Sequence, residues 1–90
     1  MNYPKEFKKV LLAKSHAILG KNGVTNEYIN HISKLLKKYK IIKIKALKSI
    51  ATKSNIKELA EQIKNATSSY LLDVRGFKII LSQYPIKKNQ

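Results

Sequence analysis

Ninety residues suffice for one domain, since a single hydrophobic core organises about 50 to 200 residues, and a large multidomain enzyme is excluded. Lys and Arg number 19 against five Asp and Glu, and the formal charge of +14 repels itself unless a polyanion is bound, which makes nucleic acid the first expected partner. A hydrophobic share of 43% is too high for a disordered basic tail, and with no cysteine disulfides, thiolate catalysis and cysteine zinc sites drop out.

Arg75 is the one arginine; every other basic residue is lysine. Lysine is a mobile, hydrated point charge and not the planar fork that reads guanine edges, so contact with a nucleic-acid backbone is expected ahead of base readout. No apolar run approaches the roughly 20 residues of a membrane span, and no secretory signal is expected. The chain reads as a cytoplasmic monomer without a membrane, small-molecule substrate or cofactor.

Phe7, Val10 and Leu11 follow Pro4 at helical spacing and predict a short first helix over residues 5–13. Ala17-Ile18-Leu19, followed by Gly20 and Gly23, predicts a brief buried strand that ends in a glycine-bounded loop. From residue 26, Tyr28, Ile29, Ile32, Leu35, Leu36 and Tyr39 form one apolar stripe, with Asn30, His31, Lys34, Lys37 and Lys38 opposite; Thr25 is the expected N-cap of this helix. Residues 41–47 alternate, Ile42, Ile44 and Ala46 against Lys43 and Lys45, as a half-buried strand whose lysines point at solvent or ligand.

Ile56, Leu59, Ala60 and Ile63 then return to helical spacing, with Asn55 and Glu58 resembling a capping arrangement and an end near Ala66. Tyr70, Leu72 and Val74, then Phe77, Ile79 and Leu81, flank Arg75-Gly76 as two antiparallel strands. The order αβαβαββ defines an α/β domain with a four-stranded mixed sheet. Its first two strands are parallel across a helix, its last two form a hairpin, and helices pack against one face. The single domain spans 1–90, its core about 5–84.

Gly20-Lys21-Asn22-Gly23 lies between a strand and the start of the strongest helix, where glycines let a backbone come close and the helix terminus attracts anions. Together with Ile18-Leu19 before it and Val24-Thr25 after it, then Ile41-Ile42-Lys43-Ile44-Lys45 and Asp73-Val74-Arg75-Gly76, this GxxG loop resembles the CRM domain, the chloroplast RNA splicing and ribosome maturation domain whose single-domain prokaryotic form is the YhbY type. The resemblance covers roughly residues 5–84. It implies a compact α/β fold, RNA binding through the GxxG loop and association with precursor large ribosomal subunits. It also carries over as site residues Gly20, Lys21, Asn22, Gly23 and Thr25, with Lys43 and Lys45 on the second strand. The Tyr-Arg that commonly ends the last strand of that family is Ser82-Gln83 here.

Between the loop glycines, Lys21 is placed to neutralise a phosphate while backbone N–H groups approach the same strand. Lys34, Lys37 and Lys38 form a further RNA-facing candidate, against the reading of an ordinary solvated helix face. Lys43 and Lys45 are either RNA contacts or protection of a sheet edge. Tyr28 and Tyr39 are expected in the core, not on a base-stacking surface. His16 and His31 stand apart and the five acids are scattered, so neither a metal site nor catalysis is expected. The expected function is non-enzymatic RNA binding in ribosome assembly. The alternatives are a DNA-binding chromatin protein and an accessory factor in intron splicing or tRNA processing.

Overall fold

The computed structural model describes residues 9, 10 and 12–85. Strand β1 (Ala17–Leu19) leads through the glycine loop into helix α1 (Asn26–Tyr39). Strand β2 (Ile41–Ala46), helix α2 (Ile56–Thr67) and the hairpin of β3 (Tyr70–Arg75) and β4 (Lys78–Ser82) follow. The sheet order is β1-β2-β4-β3, with β1 and β2 parallel and the other pairs antiparallel, which is the expected mixed α/β sheet. Of the helix expected over 5–13, Lys9, Val10 and Leu12 are helical; Phe7 and Leu11 lie outside the described residues.

Alternation along the strands sorts side chains onto two faces. Ala17, Leu19, Ile42, Ile44, Ala46, Ile79 and Leu81 form the main core with Ile32 and Leu36 of α1 and Ile56, Ala60 and Ile63 of α2. The opposite face is covered as well: Val10 packs there against Ile41, Ile80 and Leu72. The expectation of helical cover on one face alone is thus corrected, since these apolar residues would otherwise stand in water.

Three local expectations are also revised. Leu72 is bulged out of the β3–β4 ladder between Leu71 and Asp73, so Tyr70, Leu72 and Val74 do not share a face; Leu71 and Val74 join the main core and Leu72 the second cluster. Arg75 pairs with Lys78, which moves the hairpin turn to Gly76-Phe77, where Gly76 has φ 58. Asn55 does not cap α2 with its side chain. It ties the preceding loop instead, its Oδ1 accepting from the Thr52 N–H at 2.6 Å and its Nδ2 donating to the Ile50 carbonyl at 3.0 Å.

Helix α1 begins as expected: Thr25 is the N-cap and its Oγ1 accepts from the Tyr28 N–H at 3.0 Å. The buried Tyr28 hydroxyl has no hydrogen-bond partner among the described residues, and burial pushes its pKa up to about 12. Tyr28→Phe removes a polar group that burial penalises, so it should leave stability unchanged or raise it by up to about 1 kcal/mol. A lower denaturant midpoint would show that the hydroxyl is satisfied in solution.

Candidate nucleic-acid interface

Parallel strands β1 and β2 end at the same pole of the sheet, the position at which open α/β sheets carry ligands. There the glycine loop turns on a Gly23 N–H to Gly20 carbonyl bond of 3.0 Å, with Gly23 at φ 74, a conformation that side chains other than glycine resist. The loop is braced from below. The Leu47 N–H donates to the Leu19 carbonyl at 2.9 Å, and Leu47 and Ile50 lie under Gly20 and Gly23. Lys21 and Asn22 stand exposed at the tip, beside the positive start of α1. Thr25 serves as the cap of that helix, which gives it a structural role next to the loop.

Residues not assigned to the site from the sequence complete this pole. Exposed Lys48 sits between Leu47 and Ile50 on the bracing loop. Arg75 and Lys78 flank the hairpin turn, which the 2.7 Å bond from the Ala46 N–H to the Phe77 carbonyl brings to the end of β2. The signal for them was topological, because only the strand order places the hairpin beside β2. Arg75 is held by Asp73 at 2.6 Å.

Lys43 and Lys45 separate. β2 is a central strand, so protection of a sheet edge is not the role of either. Lys45 is exposed. Lys43, expected to face solvent or ligand, is 5% exposed, because its face of the sheet is covered. Burial holds its ammonium below the usual lysine range, with a smaller push from the charge of Lys78. Lys43, Lys45 and Lys78 line, with Lys14, Leu12 and Ile18, a groove of about 560 Å³ on this face.

The helix lysines Lys34, Lys37 and Lys38 are exposed, but on the outer side of α1, across the sheet from Lys45. Lys37 and Lys38 fall in the last turn, where lysines offset the negative helix end. The expected site residues therefore divide into the loop pole, the outer face of α1 and the groove, and do not form one patch.

His16, next to Lys43 in the β1 direction, is structural. Its N–H donates to the Lys43 carbonyl at 2.7 Å, and its Nδ1 accepts from the Lys43 N–H at 3.0 Å, extending the parallel pairing by one residue. Burial first, and the Lys43 charge second, lower its pKa below 6.5. The unfolded chain then holds the proton at a higher pH than the native one, so stability is fully present above the unfolded value and lost as pH falls through the folded value. The urea midpoint should drop between about pH 7 and pH 5, and His16→Asn, whose carbonyl also accepts from Lys43, should flatten that drop. A profile identical in both proteins would contradict the assignment. Among the described residues no group of three His, Cys, Asp or Glu could hold a metal, and no helix is long and apolar enough to cross a membrane.

Two comparisons bear on this arrangement. The family model of the CRS1 / YhbY (CRM) domain matches residues 7–82. A solution structure of a hypothetical protein from Staphylococcus aureus, described as a candidate RNA-binding protein, is similar with a TM-score of 0.71 and 24% identity, over 97% of this chain and 93% of that one. At that identity it establishes the shared fold. No curated protein matches the chain.

Proposed function

The chain belongs to the CRS1 / YhbY (CRM) family, and from that premise we propose that it is a non-enzymatic RNA-binding protein that holds the backbone of structured rRNA during assembly of the large ribosomal subunit. The observation that carries the reading is the pole at the end of β1 and β2. A tight glycine turn presents Lys21 and Asn22 beside a helix start, with exposed Lys48 on the loop that braces it and Lys78 beside the hairpin turn that the Ala46–Phe77 bond holds to the end of β2. Backbone amides and a helix terminus suit a phosphate's fixed geometry, while the lysines supply charge without base selection. With +14 on 90 residues, association is fast and strongly salt-dependent. The description of the Staphylococcus aureus protein as a candidate RNA binder supports the same reading. The protein acts as a monomer in the cytoplasm.

The test is ultraviolet crosslinking in cells followed by sequencing of the recovered nucleic acid. Precursor large-subunit rRNA is the expected harvest. Recovery of introns or tRNA precursors would replace ribosome assembly with a processing role, and a preference for duplex DNA over structured RNA in direct competition would replace RNA binding altogether.

A further inference from the structure

We propose that the end of the sheet remote from the glycine loop is a second RNA contact, a stacking site for unpaired bases built from Tyr39 and Tyr84 with the ammonium groups of Lys38 and Lys40. It rests on the RNA-binding reading and goes beyond it, since the glycine loop holds backbone and stacking holds bases. The exposed aromatic residues of the described chain gather at this end: Tyr39 (45% exposed) closes α1, Tyr70 (44%) opens β3 opposite Ser82, and Tyr84 (55%) follows the end of β4. Tyr39, expected in the core from its place on the helix stripe, lies instead at the rim with its ring 4.8 Å from that of His16.

Each of the two rings has a cation beside it. Lys38 Nζ lies 5.2 Å from the Tyr39 centroid and Lys40 Nζ 5.5 Å from that of Tyr84. Such an exposed contact is weak and gives way to a base, leaving the ammonium beside the phosphate of the stacked nucleotide. The backbone around the pair is fixed in advance. Lys40 adopts φ 69 and ψ −45, an uncommon conformation for a residue other than glycine. Its N–H donates to the Leu36 carbonyl at 2.9 Å and its carbonyl accepts from the Gln83 N–H at 2.7 Å, which joins the segments carrying the two tyrosines. The Ser82 side chain, fully buried, donates to the Tyr84 carbonyl at 2.6 Å and accepts from the Tyr84 N–H at 3.1 Å. Ordering therefore costs little when a base arrives. A strand of six residues is about 20 Å long, so the tyrosines lie about that far from the glycine loop, a distance that a few nucleotides of single-stranded extension on a bound stem can span.

The experiment is fluorescence anisotropy with two labelled RNAs, a blunt hairpin and the same hairpin with a single-stranded extension, against the full chain and its Tyr39→Ala, Tyr84→Ala, Tyr39→Phe and Tyr84→Phe variants. Each alanine variant should bind the extended RNA about 5- to 100-fold more weakly. The blunt hairpin should change by less than about twofold, and the phenylalanine variants should keep the affinity for both. Alanine variants that bind the extended RNA like the parent, or that lose both RNAs alike, overturn the stacking site. If that happens while Gly20→Asp still weakens the blunt hairpin, the stacking site falls alone; if the parent holds neither RNA, the RNA-binding reading falls with it.

Discussion

Replacing Gly20 with aspartate should weaken binding of structured RNA by about 10- to 100-fold at low salt, a change of about 1.4 to 2.8 kcal/mol, while thermal stability stays close to that of the parent. Gly20 is outside the left-handed region, and a Cβ there would meet Leu47 Cδ1 at 3.8 Å, an ordinary contact. The backbone therefore accepts the side chain. The carboxylate enters beside Lys21 at the point where a phosphate is to be held, and replaces attraction with repulsion. Gly23 is the contrasting case: at φ +74, a Cβ would stand 3.3 Å from Ile50 Cδ1. Strain at such a site costs about 1 to 3 kcal/mol, so Gly23→Asp should lower both affinity and stability. Substituting both glycines confuses the two effects, and Gly20 alone separates them. Unchanged affinity in Gly20→Asp, measured beside an unchanged circular dichroism spectrum, would remove the loop from the mechanism.

The second large effect lies in the core. Ile44→Ala should cost about 2 to 5 kcal/mol, a large part of the roughly 5 to 15 kcal/mol that holds a domain of this size together. Ile44 is fully buried, on the central strand β2 with Ala17 of β1 and Ile79 of β4 as its register partners. The sheet cannot easily collapse into the cavity, because strands flank it on both sides and the helices α1 and α2 lie above. Lys45→Ala, one residue on and facing the other way, should stay within about 0.5 kcal/mol. Urea titrations of the two variants read the register directly. Similar losses would mean that β2 is paired one residue out of step, which would exchange the faces of the whole strand.

Local chemistry made much of this fold legible. The apolar stripe from Tyr28 to Leu36 defined α1, Thr25 its start, and the alternation of Ile42, Lys43, Ile44 and Lys45 defined β2, because each signal depends on residues three or four apart, or two. What the sequence hid is what depends on distant partners. Alternation alone does not reveal that the second face of the sheet is covered, so Lys43 reads as exposed when it is buried. The extra residue at Leu72 breaks period two without any glycine to announce it. Tyr39 shares the apolar stripe, yet it is the last residue of the helix, three positions beyond buried Leu36, and it lies at the rim beside His16, 45% exposed. The glycine loop was visible as a motif, but its neighbours Lys48, Arg75 and Lys78 become part of the same pole only through the strand order β1-β2-β4-β3.

Division of the lysines among the loop pole, the groove and the outer face of α1 changes how much charge one RNA can meet, and that is measurable. Binding of a structured RNA followed across salt concentration counts the phosphates neutralised. Contact with about five to eight phosphates by the loop pole and the lysines around it predicts a slope of log K against log salt of about −4 to −7. A slope near zero, at any affinity, would contradict an interface built on lysine and the RNA backbone.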